Sequence, residues 1–384
     1  MKKIVAGFAI LVLSAMMPVV GIAAETLKIG AILSVTGPTA FLGVPEANTM
    51  KMLVEDINSN GGINGQKVEL IIKDSAGQKE KAVSYAKQLI EEEKVFAILG
   101  PTRTGSTLAI KSLCEKSQTL LISCASSKMI VDPVASFVFK TPQNDSLAVR
   151  KIYEHMQKEG ISSIAVAAGG TGFGKMGKRF SEELASEYGI TVVASEVYAP
   201  SVTDLSSLVA KWSGNEKIQA VINWSIVPAQ TILAKNMRQA NWDVPVYLSH
   251  GFGNIKYVEV GGKAVEGVLF PAGRLLIADE LPAEQPQKEV LLGYKNTYEA
   301  TYNEPVSTFG GHAYDALMIL KTALETVGEA DKMKVRDTIE TMTFVGTGGI
   351  FKFSPADHSG LDIEAFEMMT VKDGKFARYG VGMQ

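Results

Sequence analysis

The sequence predicts an α/β protein made of two doubly wound, Rossmann-like units. Strand-like and helix-like segments alternate along most of the chain, and the strand-like segments are short, almost continuously apolar runs. Such runs indicate parallel strands that helices cover on both faces. The alternation breaks once, at FKTPQNDS (139–146), and then restarts. A chain of 384 residues also exceeds the usual size of one hydrophobic core, which favours two units.

The first unit is predicted from four apolar strands and the helices between them. The strands are LKIGAIL (27–33), KVELIIK (67–73), VFAILGP (95–101) and TLLIS (119–123). The first helix is predicted over VPEANTMKMLVEDINSNGG (44–62), because its apolar residues share one helical face and a glycine pair ends it. The next two helices are predicted over QKEKAVSYAKQLIEEEK (78–94) and TGSTLAIKSLCEKS (104–117).

The second unit repeats this pattern after the break. Its strands are SSIAVAA (162–168), ITVVASEVY (190–198), AVINWS (220–225) and VPVYLS (244–249). Its helices are predicted over Lys178–Tyr188, near Leu205–Trp212 and near Ala229–Ala240. A strongly helical stretch follows, with GHAYDALMILKTALETVG (311–328) and KMKVRDTIETM (332–342), and the chain ends in short strands and turns.

The N-terminus has the pattern of a cleaved secretory signal. A dibasic start precedes an uncharged apolar stretch over 4–20, and small residues end the stretch at Ala23 and Ala24. We expect cleavage after one of these alanines, so that residues 1–24 are the signal peptide and the mature protein is periplasmic. An uncleaved membrane anchor is the alternative, and Pro18 weakens the helix that it would need.

Composition and cysteine usage exclude several function classes. Of 38 basic residues two lie in the predicted signal, so 36 remain against 41 acidic ones, and the mature chain has a net charge of −5. This charge argues against nucleic acid or an anionic membrane as a partner. Cys114 and Cys124 match no metal-binding spacing, and we expect two buried free thiols rather than a bridge.

A glycine-rich motif raises an enzymatic alternative. GGTGFGKMG (169–177) contains G-x-G-x-x-G between a strand and a helix, and Glu196 lies where a dinucleotide fold places its ribose-binding acid. The protein would then be a nucleotide-dependent oxidoreductase. Met176 occupies the position where a phosphate loop needs Ser or Thr, and exported proteins rarely meet nicotinamide nucleotides. We therefore interpret the motif as a tight strand–helix turn that lines a cleft.

The four histidines form no catalytic set in the sequence. His155 and His358 are predicted to be exposed, and His312 to have a core or capping role on its helix. His250 lies in YLSHGFGN (247–254), between a serine and a glycine-rich turn at the end of a strand. No paired carboxylates suggest hydrolysis, and no cluster has metal-ligand spacing. We therefore predict a protein that is not an enzyme, with no cofactor and no metal site.

Several segments together resemble the type I solute-binding proteins of branched-chain-amino-acid ABC transporters. They are IGAILSVTGPTAFLG, VEDINSNGGINGQKVELIIKD, AILGPTRTGSTLAI, LLISCASS, FKTPQND, FGKMG and GHAYDALMIL. The resemblance implies two lobes joined by three crossovers, with the ligand in the cleft between them. It places lobe 1 at 25–144 plus 274–344, and lobe 2 at 145–273 plus 345–384.

In lobe 1, the resemblance assigns the carboxylate of the ligand to two loops. Thr104 and Ser106 lie in GPTRTGST, and Ala125, Ser126 and Ser127 lie in SCASS. These residues would supply hydroxyl and backbone N–H groups. A helix N-terminus with free N–H groups favours an anion independently of the resemblance, although a plain Ser/Thr helix cap is the structural alternative.

In the other half of the predicted ligand clamp, the sequence departs from the family pattern. Leu42, Phe173 and Ile226 occupy positions where leucine-binding members have tyrosines. By the same resemblance, His250 occupies the position of the glutamate that pairs with the ammonium group of the ligand. A neutral imidazole supplies no full negative charge, and a protonated one repels an ammonium group. The sequence therefore argues against a simple amino acid as ligand.

The predicted pocket is also apolar, with Trp224, Phe41 and Phe252 as further lining candidates. We therefore predict the substrate-binding protein of a branched-chain-amino-acid-type ABC importer. It would capture a small carboxylate with an apolar or aromatic body by lobe closure, and deliver it, as a monomer, to a membrane permease. Two alternatives remain: a true branched-chain amino acid as ligand, with water or Asn223 replacing the acid, and a periplasmic ligand-sensing subunit.

Overall fold

The computed structural model describes residues 26–380 of the chain, so the predicted signal peptide lies outside the described residues. The described residues contain fourteen strands in three sheets. In chain order the strands are β1 (Leu27–Leu33), β2 (Val68–Asp74), β3 (Ala97–Leu99), β4 (Leu120–Ser123), β5 (Val138–Lys140), β6 (Ser163–Gly169), β7 (Thr191–Tyr198), β8 (Ala220–Trp224), β9 (Val246–Leu248), β10 (Leu269–Ala272), β11 (Thr343–Val345), β12 (Ile350–Lys352), β13 (Glu367–Lys372) and β14 (Lys375–Arg378).

Helices connect most of these strands. Over the same residues the α-helices are α1 (Ala40–Ser59), α2 (Lys79–Lys87), α3 (Thr104–Lys116), α4 (Asp145–Lys158), α5 (Gly172–Leu184), α6 (Ser206–Ser213), α7 (Ala229–Gln239), α8 (Ile255–Gly261), α9 (Lys288–Tyr302), α10 (Thr308–Val327) and α11 (Lys332–Thr341). None of the helices described between positions 26 and 380 combines the length and the apolar character that crossing a bilayer requires.

The first sheet is parallel throughout and has the strand order β2-β1-β3-β4-β5. Strands β3 and β4 are completely buried, because helices pack on both faces of the sheet. One core cluster joins β1, β3 and β4 to the apolar faces of α1 and α10. We call the unit built around this sheet lobe 1.

The second sheet has the order β14-β13-β10-β9-β8-β6-β7. The five strands from β10 to β7 are parallel, and the hairpin of β13 and β14 adds an antiparallel edge. We call the unit built around it lobe 2. Two separate, mainly parallel sheets wound with helices confirm the predicted α/β fold class.

The chain passes between the lobes three times. The first crossing follows β5 at residues 141–144, and the second lies at Gly273. Phe351 and Phe353 still pack in the core of lobe 1, as does Ala365, whereas the next strand belongs to the second sheet. The third crossing therefore follows Ala365, whereas the family resemblance places this boundary after position 344. The lobe boundaries derived from the sequence stay predictions.

Asp315 of α10 anchors a loop of lobe 1 that contacts the first crossing. Its carboxylate accepts hydrogen bonds from the backbone N–H groups of Thr347 and Gly348, at 2.6 and 2.8 Å, and from the hydroxyl of Thr347. The carbonyl oxygen of Gly348 in turn accepts from the side chain of Gln143, in the first crossing, at 2.7 Å. A Cβ added to Gly273, in the second crossing, would lie 2.9 Å from the same Gln143 side chain. The hinge is thus a buried, hydrogen-bonded junction.

Two histidine predictions are wrong, since His155 and His358 are buried. His155 Nδ1 lies 3.0 Å from the hydroxyl of Tyr247, and the ring of Tyr379 packs against its imidazole edge-on. His358 stacks on Phe139 with ring centroids 4.0 Å apart. The residues that cover both imidazoles come from distant parts of the chain, so the local pattern around each histidine did not indicate burial.

The helix predicted over Lys178–Tyr188 begins earlier, at Gly172. The side chain of Thr171 accepts a hydrogen bond from Gly174 N at 3.1 Å and so caps the helix. Its α-helical part ends at Leu184. The glycine-rich motif therefore forms the first turns of α5 rather than a loop before it.

Replacement of Asp315 by alanine should destabilise the protein. Two buried N–H groups lose their acceptor, so we expect the free energy of unfolding to fall by about 2–4 kcal/mol, measured by urea denaturation. The exposed Asp337, which pairs with Arg336 on the surface of α11, provides the control. Asp337→Ala should change stability by less than about 0.5 kcal/mol. Equal effects of the two substitutions would contradict the structural role of Asp315.

Candidate functional site

A small cavity lies where the carboxyl ends of the two sheets face each other. Its walls come from the loops after β3, β4 and β5 in lobe 1, the loops after β6, β8 and β9 in lobe 2, and the first turns of α10. Counted as the space that the centre of a water molecule can reach, its volume is about 30 Å³. That volume exceeds what a single water needs, so the cavity has room for more than one water-sized group.

Six of the ten residues predicted to contact a ligand line this cavity: Thr104, Ala125, Ser126, Phe173, Ile226 and His250. The other four lie outside its wall: Leu42, Ser106, Ser127 and Trp224. The tertiary structure therefore brings together residues from both halves of the predicted clamp. Their contact with a ligand stays a prediction.

The lobe 1 side of the cavity is built on the start of α3 and the loop after β4. Thr104 is the first residue of α3, whose first N–H groups have no acceptor within the helix. Ser126 lies opposite in the β4 loop, and its neighbour Ala125 already donates its N–H to Ser123 Oγ at 3.1 Å. Hydroxyls and the helix N-terminus are therefore the groups on this side whose chemistry suits an anion.

His250 is held in an aromatic environment on the lobe 2 side. Its ring centroid lies 5.3 Å from that of Phe173, 5.6 Å from Trp224 and 5.7 Å from Phe366, all edge-on. Neither ring nitrogen has a hydrogen-bond partner among the described residues. Burial, with smaller contributions from His312 and Lys140, lowers the pKa of His250 to about 3. The imidazole is therefore neutral near pH 7, with one donor and one acceptor.

His312 is the site residue that the sequence prediction missed. It lies in the second turn of α10, lines the cavity, and its Nδ1 is buried with no partner among the described residues. Burial, with a contribution from Lys140, lowers its pKa to about 3. His312 lies in GHAYDALMIL, one of the segments that resemble the family, but the apolar helical spacing around it favours a core or capping role.

A buried lysine lies behind the cavity wall. Lys140, the last residue of β5, donates a hydrogen bond from Nζ to the carbonyl oxygen of Pro142, which itself lines the cavity. Burial lowers the pKa of Lys140 to about 7, although Asp145 and Asp357 act in the opposite direction. Near neutral pH this site therefore carries a partial positive charge close to both histidines.

Within the described chain, no acidic side chain lines the cavity. One acidic side chain, Glu46, contacts a residue of the wall: its carboxyl group accepts a hydrogen bond from the hydroxyl of Thr102 at 2.5 Å. Burial raises the pKa of Glu46 well above its usual value, so the carboxyl group favours its neutral form. The cavity thus offers hydroxyls, neutral imidazoles and apolar rings, but no negative charge.

The remaining aromatic candidates support the site from behind or lie elsewhere. Trp224 packs against Phe173 and His250 without reaching the cavity. Phe252 is fully buried in the core of lobe 2, and Phe41 packs edge-on against Tyr257. Leu42 is buried in the same apolar cluster as Phe173.

The glycines of the G-x-G-x-x-G motif serve close packing. A Cβ at Gly174 would lie 1.9 Å from the carbonyl oxygen of Gly169, and one at Gly177 would lie 2.2 Å from the ring of Trp224. Glu196, the candidate ribose ligand, is paired on the surface with Lys211 at 2.7 Å. These contacts explain the glycines by the approach of α5 to the sheet, without a dinucleotide.

The described residues place neither a metal-binding cluster nor a reactive thiolate at the cavity. The described residues contain no group of three or more His, Cys, Asp or Glu side chains placed to hold a metal ion. Cys114 and Cys124 are buried free thiols, and Cys124 lines the cavity. Burial raises the pKa of Cys124 well above its usual value, so its sulfur is not a thiolate nucleophile.

Comparison with known proteins adds independent findings. A sequence profile of a family described as "Periplasmic binding protein" matches residues 26–375. The Leucine-, isoleucine-, valine-, threonine-, and alanine-binding protein of Pseudomonas aeruginosa is 26% identical over 350 residues, which cover 90% of each chain.

Solved structures show the same fold. An extracellular ligand-binding receptor from Rhodopseudomonas palustris HaA2 superposes with a TM-score of 0.85 and 25% identity, over 92% of this chain and 99% of the other. An ABC transporter solute binding protein from R. palustris, solved in complex with benzoate, superposes with a TM-score of 0.81 and 19% identity, over 93% and 96% of the two chains. The predicted two-lobed fold is therefore confirmed.

Substitution of Gly177 tests the packing explanation of the glycine motif. Gly177→Ala should lower the free energy of unfolding by about 2 kcal/mol and shift tryptophan fluorescence, because the added methyl group displaces Trp224. Gly214→Ala is the matched control, since no atom lies within 4 Å of the added Cβ and the backbone φ is −78°. Unchanged stability in Gly177→Ala, or a thermal shift of the unsubstituted protein with NAD, would contradict this explanation.

Proposed function

Because the chain belongs to the periplasmic binding protein family, in its branched-chain-amino-acid transporter type, we propose that it is the exported binding component of an ABC importer for a small carboxylate. The body of the ligand is apolar or aromatic. The protein acts in the periplasm as a monomer and delivers its ligand to a membrane permease. Residues 1–24 direct its export and are removed.

The observation that carries this proposal is the charge of the cavity wall. No carboxylate of the described residues lines it, His250 and His312 are neutral, and Lys140 lies just behind Pro142. An ammonium group buried there would lack a negative partner, which costs several kcal/mol. A carboxylate would instead meet donors and a partial positive charge. The wall thus selects against amino acids and in favour of simple acids.

The carboxylate is proposed to bind on the lobe 1 side. Thr104 and Ser126 supply hydroxyl donors, and the α3 N-terminus supplies free N–H groups and the positive end of its dipole. His250 and His312 each have an unpartnered ring nitrogen, so each donates one hydrogen bond in the appropriate tautomer. Such charge-assisted hydrogen bonds are the stronger kind in a buried site.

The body of the ligand is proposed to pack between the lobes. Phe173 and Ile226 of lobe 2 face Phe309 of α10 across the cavity. Closure about the three crossings buries this apolar surface, so ligand binding favours the closed form. The fold accommodates ligands of this class, because the R. palustris protein of the same fold was solved with benzoate.

A branched-chain amino acid is the second candidate ligand, since the P. aeruginosa relative is named for binding leucine, isoleucine and valine. Asn223 was the proposed substitute for the missing acid. Its amide oxygen accepts from the hydroxyl of Tyr198 at 2.9 Å, and its amide nitrogen donates to the carbonyl of Gln230. Asn223 is therefore hydrogen-bonded at both ends of its amide and lies outside the cavity wall, which makes this candidate the weaker one.

Calorimetric titration with matched ligands tests the proposal. The purified protein is titrated with benzoate, with 4-methylpentanoate (leucine without its amino group) and with leucine. We expect at least one of the simple acids to bind roughly 100-fold more tightly than leucine, because only leucine brings an ammonium group. Tight leucine binding without any response to the two acids would reject the proposed ligand class.

Two substitutions at His250 sharpen the same experiment. His250→Glu places a carboxylate in the cavity, so the affinity for the simple acid should fall by roughly 100-fold. His250→Gln keeps a neutral donor at the position and serves as the control, with a loss of roughly tenfold or less. Equal affinities of the unsubstituted protein and His250→Glu would place this residue outside the ligand contacts.

The affinity for the simple acid should depend on pH through Lys140. Its pKa of about 7 means that the amine is mostly neutral at pH 8 and charged at pH 6, whereas both histidines stay neutral throughout. An anion binds the charged form better, so affinity should rise roughly fivefold as the pH falls from 8 to 6. Titrations of Lys140→Met should give a flat profile. A retained pH dependence in this variant would exclude Lys140 as its source.

A further inference from the structure

A second cavity opens at the mouth of the interlobe cleft, outside the first. Its volume, measured in the same way, is about 270 Å³. The two cavities share Thr104, Phe173 and Ile226 in their walls, so they are contiguous. The outer one adds residues of both lobes, including Arg103 and Ser106 from lobe 1 and Lys175 from lobe 2. It is therefore a cavity between the lobes that adjoins the first one.

Three cations line the outer cavity, and no carboxylate does so within residues 26–380. Lys79 and Lys175 are exposed and form no ion pair with any described residue. The guanidinium of Arg103 is partly buried and donates only to the carbonyl oxygen of Gly77, at 3.1 Å. Cations from both lobes therefore face each other without a counter-charge, and their repulsion opposes closure.

Two helix N-termini meet at the same place. A Cβ added to Gly172, the first residue of α5, would lie 3.4 Å from the backbone nitrogen of Gly105 in the first turn of α3. The positive ends of both helix dipoles, each from a helix of 13 residues, thus point into one cavity. The side chain of Lys79 lies directly over Gly105 and adds its charge to this region.

Ser106 supplies an independent observation. It lines the outer cavity but not the inner one, and the residue is only 1% exposed. Its hydroxyl is buried and has no hydrogen-bond partner among the described residues. A buried hydroxyl without a partner is costly, and native structures rarely keep one unless a ligand or water satisfies it.

From these features we infer that the outer cavity is a second subsite, which binds an oxyanion and bridges the lobes. The anion would receive hydrogen bonds from Ser106 and the N-terminus of α5, and its charge would neutralise Lys79, Arg103 and Lys175. Its source is either a free inorganic oxyanion or the second carboxylate of an elongated ligand whose first carboxylate occupies the inner cavity. In both cases binding stabilises the closed form.

Calorimetry with two kinds of probe tests the inference and separates the sources. Inorganic phosphate is titrated into the protein at constant ionic strength, with no other ligand present. Terephthalate is compared with benzoate in the second arm, which rests on the proposed function, whereas the phosphate arm does not. We expect phosphate binding if the source is a free oxyanion, or roughly tenfold tighter binding of terephthalate than benzoate if it is the ligand.

Three variants decide whether such binding belongs to this subsite. Lys175→Ala and Ser106→Ala should each weaken phosphate binding roughly fivefold, or remove the advantage of terephthalate. Lys81→Ala, on the same helix as Lys79 but outside the cavity, should change neither. Because Lys175 is exposed, its removal does not threaten folding.

The inference would be overturned if Lys175→Ala and Ser106→Ala keep the phosphate affinity and the terephthalate advantage that Lys81→Ala shows. It would also be overturned if the unsubstituted protein shows neither phosphate binding nor a terephthalate advantage. Benzoate binding without either response would overturn this inference alone. Phosphate binding that depends on Ser106 and Lys175, without benzoate binding, would uphold the subsite and reject the proposed ligand class.

Discussion

Parallel strands bring every carboxyl end of a sheet, and the helix N-terminus that follows it, to a single edge. The three crossings turn these edges of the two sheets toward each other, and the hydrogen bonds of Asp315 fix the loop at Thr347 and Gly348, which contacts the first crossing. The composition of both cavities depends on this arrangement. It brings His250, at the end of β9, to the same cavity as His312 of α10, and it makes the N-termini of α3 and α5 meet.

The cleft that results is electrostatically one-sided. The inner cavity contains neutral imidazoles and hydroxyls with Lys140 behind them, and the outer one contains three cations. Neither has an acidic side chain in its wall among the described residues, although the whole chain has more acidic than basic residues. A low-dielectric cleft lined by one sign of charge concentrates the opposite sign, so anions are the ligands that this surface attracts.

Much of the fold could be predicted, because strands and helices have local signals. The strand segments and the break after β5 follow from apolar runs, whereas the family resemblance supplied the loops of Thr104, Ser126 and His250. The predictions for His155 and His358 were wrong because distant residues cover both imidazoles. His312 was assigned to the core because its helix spacing is that of a core residue.

The sequence by itself determined the α/β class, the two-unit organisation and the loops that face the cleft, since periodicity and turn residues are properties of neighbouring positions. The family resemblance also places His250 at the position of a glutamate in leucine-binding members, and this correspondence stays a prediction. Only the tertiary structure decided that this imidazole is buried and neutral, that His312 and Lys140 lie beside it, and that Ser106 belongs to a separate cavity. Burial and the nearness of charges depend on elements far apart in the chain, and these set the pKa values of the site.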